Sequence, residues 1–405
     1  MSRASASGAG LWWQALVLSL GAAVSLGVTR FAYGLLLPPM RESLGWSYTL
    51  AGAMNTANAA GYLVGALLMP RLLLRWRPGQ VLRGGMLLAA LFMALSGFVT
   101  EAWALMLQRW LAGCASALVF VTGGLLAAGL AQQRPHQGGW LIGLYYGGTG
   151  WGIVVSALMV PWVLVLPGDW PRAWWALAGV CAVALLVLWR TVVGLDPQHS
   201  QTTAQRQDEA VRFAWSQWVP GLAGYGCFGI GYIGYMTFVI ALLREQGASG
   251  SAITLFYAAL GLAVVVSARL WARLLDRFQG GQALAILNAL LALATVVPAV
   301  SAPGWALALS GLLFGAVFLS VVASTTAMVR HNLPASQWAR GISAFTIVFA
   351  LGQIIGPTLV GWVADGPGGL ARGLACSAAV LLLGSVLAWR QRPLPHLRAG
   401  KTGVD

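Results

Sequence analysis

A chain of 405 residues that is 59% apolar and only 8% charged falls far below the roughly one-quarter charged residues of a soluble domain, so water is not its main solvent. Its formal charge of +14 invites a nucleic-acid partner, but the placement of those charges, given below, excludes one. Four cysteines (Cys114, Cys181, Cys227 and Cys376) stand alone in apolar runs without metal-ligand spacing, so no metal and no cofactor is expected.

Apolar runs long enough to cross a hydrocarbon core of roughly 30 Å recur along the chain. The first predicted span, 12–38, is too long for a signal-peptide core and contains Arg30. Span 2, 48–69, places Asn55, Asn58 and Tyr62 on one helical face by their i, i+3, i+7 spacing. Span 3 covers 82–100, and span 4, 102–130, contains Arg109. Span 5, 140–166, lines up Tyr145, Thr149, Gly152 and Ser156, and span 6 covers 172–190. The polar stretch 191–214 reads as a linker between a first half, 1–190, and a second half, 215–405. Span 7, 218–243, is loosened by glycine and carries Tyr232 and Tyr235. Spans 8 to 12 follow at 251–270, 282–300, 304–329, 341–363 and 370–389. The expected fold class is an all-α membrane protein of twelve transmembrane helices.

An even number of spans puts both termini on one side. Eighteen of the 24 Lys and Arg residues fall on that side, four (Arg41, Arg172, Arg244 and Arg372) on the other, and Arg30 and Arg109 lie inside spans. This bias marks the terminal side as cytoplasmic. The positive charge is therefore a signal of topology, and the expected surroundings are a lipid bilayer, in a bacterial inner membrane. Tryptophans gather at span ends, among them Trp12, Trp103, Trp174, Trp175, Trp218, Trp305 and Trp389, where an amphipathic ring suits the headgroup layer.

The two halves repeat. A shift of 202 lays Arg71-Leu-Leu-Leu-Arg75-Trp76 on Arg273-Leu-Leu-Asp276-Arg277-Phe278, Gly113 on Gly315 and Gly150 on Gly352, and a shift of 203 lays Arg41-Glu42 on Arg244-Glu245. Parallel repeats about an axis along the membrane normal, with a site between them, are a transporter architecture.

On these residues the chain resembles the major facilitator superfamily and, within it, the YbfB/YjiJ-like branch. The loop ending Leu275-Asp276-Arg277-Phe278 is similar to the second copy of the superfamily's first motif; the first copy, Gly65 to Arg83, keeps its arginines but has Leu74 where an aspartate is expected. Arg109-Trp-Leu-Ala-Gly113 resembles the span 4 motif, Gly352-Gln-Ile-Ile-Gly356-Pro357 the span 11 motif, and Gly27-Val-Thr-Arg30-Phe-Ala-Tyr33 with Pro38 the branch signature. The resemblance implies two pseudo-symmetric six-helix bundles, a monomer, and Arg30 and Arg109 facing one aqueous pocket. It also implies a conformational role for Asp276 and Arg277 and for Gly352, Gly356 and Pro357.

A charge at a span centre costs roughly 2.5–3.5 kcal/mol on insertion scales. All ten acids fall in loops or at span ends, so neither arginine has an obvious partner. Guanidinium binds carboxylate and phosphate in bidentate fashion, and the expected substrate is a small organic anion, held by Arg30 and Arg109 with help from Asn55, Asn58, Tyr232 and Tyr235. The alternatives are that Arg30 reaches outward towards Glu42 or Glu101 and that Arg109 braces neighbouring carbonyls. A primary pump is excluded because the single lysine is Lys401 and a P-loop needs one. No enzyme activity is expected. Apart from Glu101 at the outer end of span 3, no acid or histidine stands ready in the membrane as a proton relay, and exchange against a counter-anion, facilitated diffusion, or symport of a co-transported proton carried on the substrate itself all fit. A proton-driven exporter of drugs or metabolites is the competing function.

Overall fold

The computed structural model describes residues 8–164, 169–192, 215–300, 304–334 and 337–394. The predicted linker beyond Val192 and the tail beyond Leu394 lie outside the described residues. Twelve long helical segments cover the described residues: span 1 from Gly8 to Leu44, then Tyr48–Leu73, Pro78–Ser96, Ala102–Gln133, Gly138–Val163, Trp170–Val192, Trp215–Glu245, Gly250–Leu270, Gln282–Val296, Gly304–Asn332, Trp338–Ala364 and Gly369–Trp389. Eleven of these are both long and apolar enough to cross a membrane. The exception is span 2, Tyr48–Leu73, whose 26 residues suffice in length at 1.5 Å each. Its lower apolarity has a structural reason, because Asn55 and Asn58 are buried against other helices and never meet lipid.

Span 1 is not a uniform helix. Gly8–Ala22 is α-helical, Ala23–Phe31 is a π-helix, and Tyr33–Leu44 resumes the α form through Pro38 and Pro39. The sequence reading ended this span at residue 38; the helix continues six residues further and stops at Gly45, whose φ of 65° is the left-handed cap that glycine adopts without penalty. The wide stretch lies where span 5 presses closest. A Cβ on Gly27 would sit 2.6 Å from Gly152 Cα, so the two backbones touch there.

The repeat reappears as packing. Gly113 on span 4 seats against the Asn58 carbonyl of span 2, and its counterpart Gly315 on span 10 seats against the Leu260 carbonyl of span 8. Across the two halves, spans 2 and 11, 5 and 8, and 1 and 7 pack on one another. The tryptophan belt holds only in part. Trp103, Trp305 and Trp389 are exposed, whereas Trp174 and Trp218 are fully buried because Trp174 lies under the Arg109 guanidinium and Trp218 meets Phe345 edge-on.

The face opposite the termini, here the distal face, is closed. The Asp365 carboxylate at the end of span 11 accepts from the Tyr48 and Thr49 amides at 2.7 and 2.9 Å and from the Thr49 hydroxyl at 2.6 Å, so an anion of one half caps a helix of the other. Burial pushes this carboxyl up, but the hydrogen bonds from Thr49 and Tyr48 outweigh it and hold it below the usual carboxylate range. Beside it, the Tyr48 hydroxyl donates to Glu245, and Arg41 lies 3.7 Å over the Tyr48 ring. One layer deeper, Thr56 on span 2 meets the Thr358 hydroxyl and the Ile354 carbonyl on span 11.

Candidate functional site

At mid-depth, on the terminal side of this closure, lies a cavity of about 90 Å³ bordered by spans 1, 2, 4, 7, 10 and 11. Its polar end is Arg30, Gln353 and Tyr232; the rest of the wall is largely aromatic.

Arg30 projects from the π stretch and is 2% exposed. It does not reach Glu42 or Glu101. Nη2 donates to Gln353 Oε1 at 2.5 Å, and Gln353 Nε2 donates in turn to the Tyr232 hydroxyl at 2.8 Å. The chain thus joins span 1 to spans 11 and 7. Because Tyr232 receives that bond, its own proton is available to an acceptor in the cavity. Arg30 Nε is buried without a partner. A guanidinium has five N–H donors and this one commits few of them, all to a neutral amide. Tyr62 flanks it, with the guanidinium 5.9 Å from the ring centroid.

Arg109 has a different setting. It does not border the cavity. Nη1 donates to the Thr29 carbonyl at 2.7 Å and Nη2 to Asn55 Oδ1 at 3.3 Å, and the Tyr33 and Trp174 rings lie 5.0 and 5.5 Å from it. Widening a helix to π geometry shifts its backbone bonds by one residue, and Thr29 belongs to that stretch, so Arg109 satisfies a carbonyl at the irregularity. Asn55 passes the contact on, donating to Thr237 of span 7 at 2.7 Å. Asn58 donates to the Arg109 carbonyl at 3.0 Å. Among the described residues no carboxylate pairs with either buried arginine.

The structure therefore brings together Arg30 and Tyr232 of the expected binding set, and draws Arg109, Asn55 and Asn58 into an adjacent bracing network. Tyr235 is elsewhere: its hydroxyl bonds Ser310 at 2.8 Å and its ring stacks on Phe314 at 4.0 Å. Gly352 and Gly356 seat span 11 on the Gly226 and Ile230 carbonyls of span 7, and the Pro357 carbonyl would lie 2.2 Å from a Cβ on Gly52. Asp276 and Arg277 occupy a short exposed helix, Ala272–Arg277, on the terminal face. Sequence reasoning missed Gln353 and the aromatic wall. Gln353 stood inside the quoted Gly352–Pro357 motif, and the one signal for it was that it is a polar side chain among apolar neighbours.

Comparison with known proteins places this architecture. A family model described as uncharacterised MFS-type transporter YbfB matches residues 22–389. No curated protein matches the sequence. Among solved structures the chain is similar to the nucleoside transporter NupG, at 14% identity and a TM-score of 0.73 over 94% of this chain and 98% of that one. A bacterial homologue of the human lysosomal transporter Spinster, described as inward-facing and unoccupied, gives 14% and 0.73 over 96% and 100%. The D-xylose–proton symporter gives 15% and 0.71 over 94% and 97%. At such identities the likeness is one of fold, the major facilitator fold.

Proposed function

The chain belongs to the YbfB-type transporters of the major facilitator superfamily, and on that premise we propose that it carries a small organic anion by alternating access, with Arg30 as the anion contact. The single observation behind the substrate charge is the buried Arg30 guanidinium, which borders a cavity whose lining holds no carboxylate. A bare cation at this depth costs enough that a functional partner is its default explanation. Gln353 orients the guanidinium without neutralising it, and the Tyr232 proton supplies a second donor, so a carboxylate arriving in the cavity meets the guanidinium and the Tyr232 hydroxyl.

In this reading the terminal face is cytoplasmic and the conformer is closed to the outside, with the Asp365 cap and the Gly52–Pro357 contact as the outer closure. The Arg30–Gln353–Tyr232 and Arg109–Asn55–Thr237 chains tie the two halves together across the centre, and both must part when the outer face opens. Asp276, exposed and without an ion pair among the described residues, is the complementary latch for the other state. Coupling to a proton or a counter-anion is compatible with this arrangement. An exporter of cationic drugs fits less well, because the same bare guanidinium repels cations.

The test is a thermal-shift screen of the purified protein against organic acids, followed by uptake in proteoliposomes. Ligand that binds only the folded state raises its apparent stability by mass action. The expected result is stabilisation by carboxylates that is lost in Arg30→Lys, where charge is retained but the planar fork is not. Normal transport by Arg30→Leu overturns the proposal.

A further inference from the structure

We infer that the transported anion is planar and aromatic, an arene carboxylate in chemical class; this rests on Arg30 being the anion contact. The wall of the cavity opposite the arginine is not merely apolar. Phe228, Tyr232, Phe318 and Phe349 all border it, and their planes are nearly aligned. Phe228 and Phe349 differ by 9° at 5.3 Å between centroids, Tyr232 and Phe318 by 8° at 6.1 Å, Tyr232 and Phe349 by 19° at 5.6 Å, and Phe228 and Tyr232 by 22° at 4.7 Å. Phe31, also at the cavity, stands edge-on to Phe318 at 88° and bounds the set.

Alignment carries the argument. Rings at mixed angles accept apolar ligands of any shape, whereas near-parallel rings from spans 7, 10 and 11 present a slot in which a further ring lying in the same orientation extends the stack. Offset-parallel pairs gain beyond simple area burial, and a puckered aliphatic ring of equal bulk forfeits that gain. Tyr232 belongs to both features: its ring is part of the aligned set and its hydroxyl belongs to the Arg30–Gln353 end. A carboxylate bonded there is thus attached at the edge of the slot, as it is in an arene carboxylate. The cavity of about 90 Å³ is several times the roughly 10–15 Å³ that a single water needs.

The experiment is a thermal-shift titration of the full-length protein with three probes: benzoate, cyclohexanecarboxylate (same charge, puckered ring) and benzamide (same ring, no charge). Benzoate is expected to bind about two- to tenfold more tightly than cyclohexanecarboxylate, the order of one stacking contact. Phe349→Leu, or Phe318→Leu if that variant fails to fold, should narrow the gap while leaving the response to cyclohexanecarboxylate in place. An equal response to both acids overturns the aromatic inference and leaves the anion site standing. A response to benzoate and benzamide alike that survives Arg30→Lys removes the anion site and leaves the stacking slot. Silence from all three probes overturns both.

Discussion

Gln353→Glu is the most direct perturbation of the site, because it changes charge at constant shape. The glutamine oxygen already lies 2.5 Å from Arg30 Nη2, so the introduced carboxylate forms a buried ion pair without rearrangement. With charge centres about 4 Å apart and an effective dielectric constant of about 20, the gross attraction is about 4 kcal/mol. If desolvation of the new carboxylate offsets half of that, an incoming anion still forfeits about 2 kcal/mol, a roughly 30-fold loss of affinity at 1.4 kcal/mol per decade. The ligand-free protein should melt no lower than wild type, since a bare buried cation gains a partner. Titration of benzoate followed by thermal shift reads both effects. Gln353→Leu is the control: it removes the amide without adding charge and should weaken anions less. If the variant binds benzoate within threefold of wild type at neutral pH, Arg30 is not the anion contact.

The bracing arginine should behave otherwise. Arg109→Lys gives up one of two charge-assisted bonds and the stacked rings, costing about 2–3 kcal/mol of stability; the melting temperature falls with or without ligand while the ligand-induced increment persists. In Asp365→Asn one carboxylate oxygen becomes a donor facing the Tyr48 and Thr49 donors, so amide hydrogen exchange across residues 48–54 accelerates. In wild type the same cap is made by the ionised carboxylate, whose pKa lies below the usual range; protection is therefore full above the ordinary carboxylate value and is lost only as pH falls through the lowered one. Loss of protection already between pH 7 and 5 contradicts this assignment.

Much of the fold was legible because membrane insertion leaves coarse marks. Twelve segments followed from run length, and the kinship of the halves from a near-constant offset that reappears as Gly113 and Gly315 seating on equivalent neighbours. Boundaries slipped where local chemistry is permissive. Span 1 was expected to end at residue 38, yet a proline costs a helix one donor and can be carried inside it, and the helix runs through Pro38 and Pro39 to stop where Gly45 supplies a left-handed cap. The burial of Trp174 and Trp218 was not legible, since a tryptophan near a span end reads the same whether its ring meets headgroups or a guanidinium on the next helix.

The two arginines show where linear reasoning stops. From sequence they are equivalent: isolated cations at similar depth, without acids. What separates them is whether neighbours offer acceptors to spend the charge on. Arg109 meets the Thr29 carbonyl of the π stretch and Asn55 Oδ1, and a π stretch has no sequence signature as plain as a proline. Arg30 meets one amide oxygen, from a residue 323 positions away. Arg109 donates to two protein oxygens and lies off the cavity, which marks it as structural, whereas Arg30 donates to one and borders the cavity, which makes it available to a ligand. Burial and charge are the same in both cases, so the distinction lies in the inventory of acceptors, which only the assembled bundle defines. That inventory also explains why glutamine suits position 353: an acid there would fill the fork permanently, and an aliphatic side chain would leave it unoriented.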